Sequence, residues 1–113
     1  MTTMHNPPHP GQFIKDTYLD PLNISIREVA ENLGVSPSTL NRLIKGKSNI
    51  SPAMAFRLAK TLGRTPESWL AMQAQYDLWI TKKNINLKHV YKLKIIHKEN
   101  SPLAASRASA GNV

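Results

Sequence analysis

The sequence predicts an all-α fold of five short helices followed by a basic extension, and three observations predict it. Apolar residues recur at helical spacing in successive short windows. Each window opens on a capping or proline signal and closes on a turn residue. One adjacent pair of windows, residues 25–45, has the spacing of a helix-turn-helix. With 113 residues the chain is long enough for one small core and too short for two ordinary domains. It divides into a flexible segment 1–9, a domain 10–81 and a basic, partly disordered extension 82–113.

Residues 1–9 are Pro- and His-rich and read as unstructured. Pro10 opens the first helix, which carries Phe13, Ile14, Thr17 and Tyr18, and Asp20-Pro21 is expected to break it. Ser25 caps the second helix, with Glu28 three residues on completing a capping box, and Ile26, Val29 and Leu33 form its inner stripe. Ala30 is small where two helices must cross closely, and Gly34 lies where the chain leaves the helix with positive φ. Val35 fills the corner, Ser36 caps the third helix, Pro37 occupies its first turn, and Leu40, Leu43 and Ile44 face inward.

That leaves Ser38, Thr39, Asn41, Arg42 and Lys45 facing outward on the helix that, in a helix-turn-helix, enters the DNA major groove. No acid occurs from Val35 to Ser48, whereas Arg42, Lys45 and Lys47 add positive charge; an ordinary helical hairpin would mix signs on its solvated face. Ser38, Thr39 and Arg42 are expected at base edges. Ser36, Lys45, Lys47 and Asn49 are expected at phosphates, with Asn41 on the same surface.

After the loop Gly46–Ile50, Ser51 and Pro52 start a fourth helix with Met54, Ala55, Leu58, Ala59 and Leu62 inward, and Gly63 ends it. Thr65-Pro66-Glu67 repeats the start signal for a fifth helix reaching about Thr81. Its wheel has two apolar faces: Trp69, Met72, Tyr76, Trp79 and Ile80 on one side, Leu70, Ala71, Ala74 and Leu78 on the other. A small monomer needs one such stripe. The first group is therefore expected to form a homodimer interface, the alternative being that the C-terminal segment folds back over the second face.

The formal charge is +8 and the pI about 10.1, which favours an acidic partner such as nucleic acid. Residues 1–81 hold eight Lys/Arg against six Asp/Glu; residues 82–113 hold seven against one. From Leu87 to Ile95 apolar residues and His89 take odd positions while Lys88, Lys92 and Lys94 take even ones, a period of two that suggests one short strand. Such a strand needs a partner, from a second copy, another protein or the helices; the alternative is a disordered basic arm on DNA. Residues 99–113 are rich in Ser and Ala and read as disordered.

There is no cysteine, so disulfides and thiolate zinc sites are excluded. His5 and His9 have helical spacing, but Pro7 and Pro8 forbid the helix that would use it, and these histidines, with His89 and His97, read as solvated or loosely packed. No phosphate loop, nucleophile elbow or metal-ligand spacing is present, so the chain is expected to be no enzyme and to use no cofactor and no metal. Without a secretion leader or a run of about 20 apolar residues, a soluble cytoplasmic protein with no membrane partner is expected.

Taken together these residues resemble the HigA-type antitoxins, the VapI-like branch of the Xre helix-turn-helix regulators, whose fold is lambda-repressor-like. The similarity runs from His9 to Trp79. It is carried by His9-Pro10-Gly11, Leu19-Asp20-Pro21-Leu22, Ala30 to Gly34 and Gly46, and most narrowly by Ala53-Met54-Ala55-Phe56-Arg57-Leu58-Ala59, Trp69-Leu70-Ala71-Met72-Gln73 and Tyr76-Asp77-Leu78-Trp79. The resemblance implies a dimer that represses its own operon at an inverted-repeat, double-stranded operator and holds a HigB-type messenger-RNA endonuclease toxin inactive. Gln12 stands where relatives often have an acid, and the Lys-rich extension after Trp79 departs from relatives that stop near there. A stand-alone regulator of phage-repressor type, and a toxin-binding scaffold whose DNA site has decayed, are the alternatives.

Overall fold

A computed structural model describes residues 6–95. The described chain is all-α and contains no strand. In order, it forms α1 (Pro10–Ile14), a π-helical turn (Lys15–Leu19), α2 (Asp20–Leu22), α3 (Ile26–Leu33), α4 (Pro37–Ile44), α5 (Pro52–Leu62) and α6 (Pro66–Asn84). The first three run on without a break, so five helical rods surround one core.

That continuity corrects the expected break at Asp20-Pro21. Pro21 has no N–H to donate, and its ring would crowd a carbonyl one turn back in a regular α-helix. The chain widens into a π turn instead, with the Asp20 N–H bonding the Lys15 carbonyl, and the helix ends only where Asn23 turns left-handed at φ 55°. Across the widened turn Lys15 Nζ meets Asp20 Oδ2 at 2.8 Å.

Four helices start as their residues dictate. Ser25, Ser36, Ser51 and Thr65 each adopt extended backbone and accept a hydrogen bond from the N–H three residues on, and Pro37, Pro52 and Pro66 fill first positions where no donor is needed. The capping box, however, forms at Thr65 and Ser68 rather than at Ser25 and Glu28, where only the serine half is made. Ser68 is short enough to bond back to the Thr65 N–H within one turn.

The core is Ile14, Leu19, Val29, Ala30, Leu33, Leu40, Leu43, Ile44, Ile50, Ala55, Leu58 and Trp69. Trp69 is its largest member, fully buried, with Nε1 donating to the Gly63 carbonyl at 2.9 Å. This corrects its expected place in a dimer interface: its own domain already covers the ring, and Phe13, Tyr18 and Arg64 pack around it. Leu70 and Met72, on opposite sides of the α6 wheel, both pack against this core. In the first turns of α6 both faces thus contribute to the core, while Ala71, Ala74, Leu78 and Ile80 stay exposed.

α6 runs to Asn84, beyond the expected end near Thr81, with Lys83 over the Trp79 ring at 3.7 Å. Beyond it, residues 85–95 form no strand: Ile85, Leu87, Val90, Tyr91, Leu93 and Ile95 are all exposed. A period-two pattern supplies a face but no hydrogen-bond partner, and within the described residues no second strand lies beside this one. His97 and the Ser/Ala-rich segment 99–113, like His5, lie outside the described residues.

Candidate nucleic-acid interface

The turn between α3 and α4 is built from small residues and held from below. Gly34 ends α3 at φ 76°, a backbone conformation costly for other residues, and the Val35 N–H closes back on the Ala30 carbonyl. The last carbonyls of α3 would otherwise lack partners. α5 supplies them: Arg57 Nη1 donates to the Leu33 and Gly34 carbonyls at 2.7 and 3.3 Å, and Thr61 donates to the Asn32 carbonyl at 3.1 Å. Two positively polarised groups on the fourth rod therefore set the angle at which α4 leaves the turn.

α4 buries Leu40, Leu43 and Ile44 and presents its other side to solvent. Ser38, Thr39, Arg42 and Lys45 are exposed and Asn41 is half-buried. Ser36 accepts from the Thr39 N–H at 3.1 Å, and its hydroxyl lies 3.2 Å from that of Ser38 and 2.9 Å from that of Thr39. One oxygen thus serves the cap and both neighbouring hydroxyls. The loop after α4 carries exposed Lys47 and Asn49, so the exposed polar side chains between Ser36 and Asn49 are hydroxyls, amides and cations, with no acid among them.

Beneath that loop the structure assembles residues that sequence reasoning left unconnected. Gly11 packs so tightly on the end of α4 that a Cβ there would overlap the Leu43 carbonyl and lie 2.8 Å from the Ile44 Cα. His9, read from sequence as solvated, is buried. Two prolines before it hold the chain extended, and its Nδ1 accepts the Gly11 N–H at 2.9 Å, capping α1. Its ring meets Tyr76 edge-on at 4.9 Å and lies against Gly46. Burial holds the imidazole pKa below its ordinary value, with Asn49, Asp77 and the Ser48 carbonyl pulling the other way. His89, by contrast, is exposed.

The second buried polar side chain is Gln73 of α6. Its Oε1 accepts the Ile50 N–H at 2.8 Å, and its Nε2 donates to Asn49 Oδ1 at 3.1 Å and to Asp77 Oδ1 at 3.0 Å. The one sequence signal for Gln73 is its position four residues after Trp69, on a stripe that is otherwise inward. Of the residues expected at a dimer interface, Tyr76 and Trp79 are half-buried, 6.3 Å apart between ring centroids, Met72 packs on the core, and Ile80 is exposed at the rim.

No helix among the described residues is long and apolar enough to cross a membrane. The helix-turn-helix family model matches residues 17–70. Over 90 residues the chain is 37% identical to YddM, an uncharacterised HTH-type transcriptional regulator of Escherichia coli strain K12, covering 80% of this chain and 95% of that one. It is 39% identical over 80 residues to antitoxin HigA-1 of Vibrio cholerae, covering 71% and 75% respectively. Among solved structures, PA4674 of Pseudomonas aeruginosa in complex with its 18-bp operator DNA matches with a TM-score of 0.72 at 28% identity, over 81% of this chain and 100% of that one.

Proposed function

The chain belongs to the HigA-type branch of the Xre helix-turn-helix family, a family of DNA-binding regulators and antitoxins rather than enzymes, and we propose that it is an antitoxin that represses its own operon. It binds an inverted-repeat operator as a two-fold dimer and neutralises a HigB-type messenger-RNA endonuclease, acting in the cytoplasm where both targets are found. The observation that carries DNA reading is the acid-free surface from Ser36 to Asn49, borne on a helix whose angle is set by Gly11 and Arg57. The operator complex of PA4674 supports it.

In this reading Ser38, Thr39 and Arg42 meet base edges, Ser36, Lys45, Lys47 and Asn49 meet phosphates, and Asn41 lies on the same surface. The dimer forms through the outer half of α6, through half-buried Tyr76 and Trp79 and exposed Ile80. Two recognition helices so related require half-sites roughly 34–36 Å apart, or a multiple.

Two measurements test the proposal. Co-expression with the adjacent toxin rescues growth, and an Arg42→Ala variant still rescues while failing to repress, because toxin binding and base reading use different surfaces. Sedimentation of a monomer at micromolar concentration, with protection of one half-site, overturns the dimer. A stand-alone regulator is the second reading, favoured by the similarity to YddM, described as a transcriptional regulator. A chain that represses its promoter but rescues no neighbouring toxin supports it.

A further inference from the structure

We infer that Gln73 is a positioning residue for operator contact: it turns the Asn49 side-chain amide so that its N–H donors, not its oxygen, are offered to a DNA phosphate. The inference rests on the proposed reading of the loop Lys45–Asn49 as a backbone contact. Amide orientation follows from unambiguous partners at both ends of the network. The Ile50 backbone N–H can only donate, so the Gln73 atom facing it at 2.8 Å is Oε1. The Asp77 carboxylate accepts, so the Gln73 atom facing it at 3.0 Å is Nε2. The same Nε2 lies 3.1 Å from Asn49, and the Asn49 atom there must be the oxygen.

With that oxygen held inward by Gln73, the part of the exposed Asn49 amide left for solvent is its N–H2 group. A phosphate accepts hydrogen bonds and repels a carbonyl oxygen, so this is the productive orientation. The Ile50 N–H, Gln73 and Asn49 thus form a head-to-tail run of donors and acceptors that leads to the DNA side, while Asp77 accepts the other Nε2 hydrogen of Gln73. A buried Gln in an otherwise apolar stripe is costly to desolvate, and here each of its polar atoms is satisfied.

The test compares the full-length chain with Gln73→Met, Asp77→Ala and Asn49→Ala on the duplex that the wild-type chain selects from a random pool. It is run at about pH 8, where His9 is neutral in every variant. Gln73→Met is expected to weaken binding about tenfold with the salt slope unchanged, because a neutral amide lost from a phosphate changes no counterion release. A merely structural defect would reduce the fraction of active protein and leave the affinity of that fraction unchanged. Asp77→Ala is expected to weaken binding about threefold, although removing an acid near DNA would by itself tighten it. Asn49→Ala is costly alone and adds nothing in the Gln73→Met background. Tighter binding by Asp77→Ala, wild-type affinity of the active Gln73→Met protein, or additivity with Asn49→Ala overturns the inference alone. A wild-type chain that selects no duplex overturns the DNA reading, and the inference with it.

Discussion

Replacing Gly11 by alanine sets two effects of opposite sign against each other. Helix propensity favours alanine by up to about 1 kcal/mol in a helix interior, and by less at the second position of α1. Against that, the new Cβ would overlap the Leu43 carbonyl, with the Leu43 carbonyl carbon 2.7 Å away and the Ile44 Cα 2.8 Å away. These are backbone atoms of the recognition helix and cannot rotate aside, so α1 and α4 must separate. Overpacking of this kind costs about 1–3 kcal/mol, which leaves a net destabilisation of about 1–2 kcal/mol after the propensity gain. For a domain of this size that lowers the midpoint of thermal unfolding by roughly 4–16 °C. Urea and thermal denaturation followed by far-ultraviolet circular dichroism measure it, and operator affinity of the folded variant reports the displaced α4. A Gly11→Ala protein as stable as wild type, or more so, refutes the argument that the close approach of α1 to α4 requires glycine.

Arg42→Ala is expected to cost about 1–3 kcal/mol on the true operator if Arg42 pairs with a guanine, whereas Lys47→Ala weakens all sequences alike and flattens the salt dependence; titrations at several salt concentrations separate the two. Arg57→Ala removes the donor to the Leu33 and Gly34 carbonyls and is expected to cost about 1–2 kcal/mol of stability, read by urea unfolding, with Arg57→Lys recovering only part of it. His9 is held neutral by burial, so its folded pKa lies below its unfolded one, and the unfolded chain takes up the proton first as pH falls. Stability is therefore full above the unfolded value of about 6.5 and declines as pH drops from there towards the folded value; His9→Asn, which keeps a cap acceptor that does not titrate, flattens urea midpoints across that window. Deleting residues 86–113 spares α6, and toxin and operator affinities measured in parallel tell a toxin-clamping tail from a basic arm: each loses only its own partner, and no change in either assigns the tail to neither.

The sequence by itself determined the features that depend on neighbours within one or two helical turns. The caps at Ser25, Ser36, Ser51 and Thr65, the prolines at first positions and the left-handed exit at Gly34 are local hydrogen-bonding and steric facts. With them came the helix-turn-helix and the outward Ser38, Thr39 and Arg42, because helical periodicity alone assigns inner and outer faces. Contacts between residues far apart in the chain were decided only by the tertiary structure. Gln73 bonds residues 23 and 24 positions away, and Arg57 bonds ones 23 and 24 positions away; nothing in their own neighbourhoods points to those partners. His9 looked solvated because its immediate neighbours are prolines, yet Tyr76 and Gly46 bury it. The wheel of α6 shows two apolar faces, but only packing shows that Leu70 and Met72 rest on the core while Ala71, Ala74 and Leu78 stay exposed. The alternation after Leu87 failed as a strand for the same reason: periodicity specifies which side chains share a face, whereas a strand exists only when another backbone accepts its hydrogen bonds.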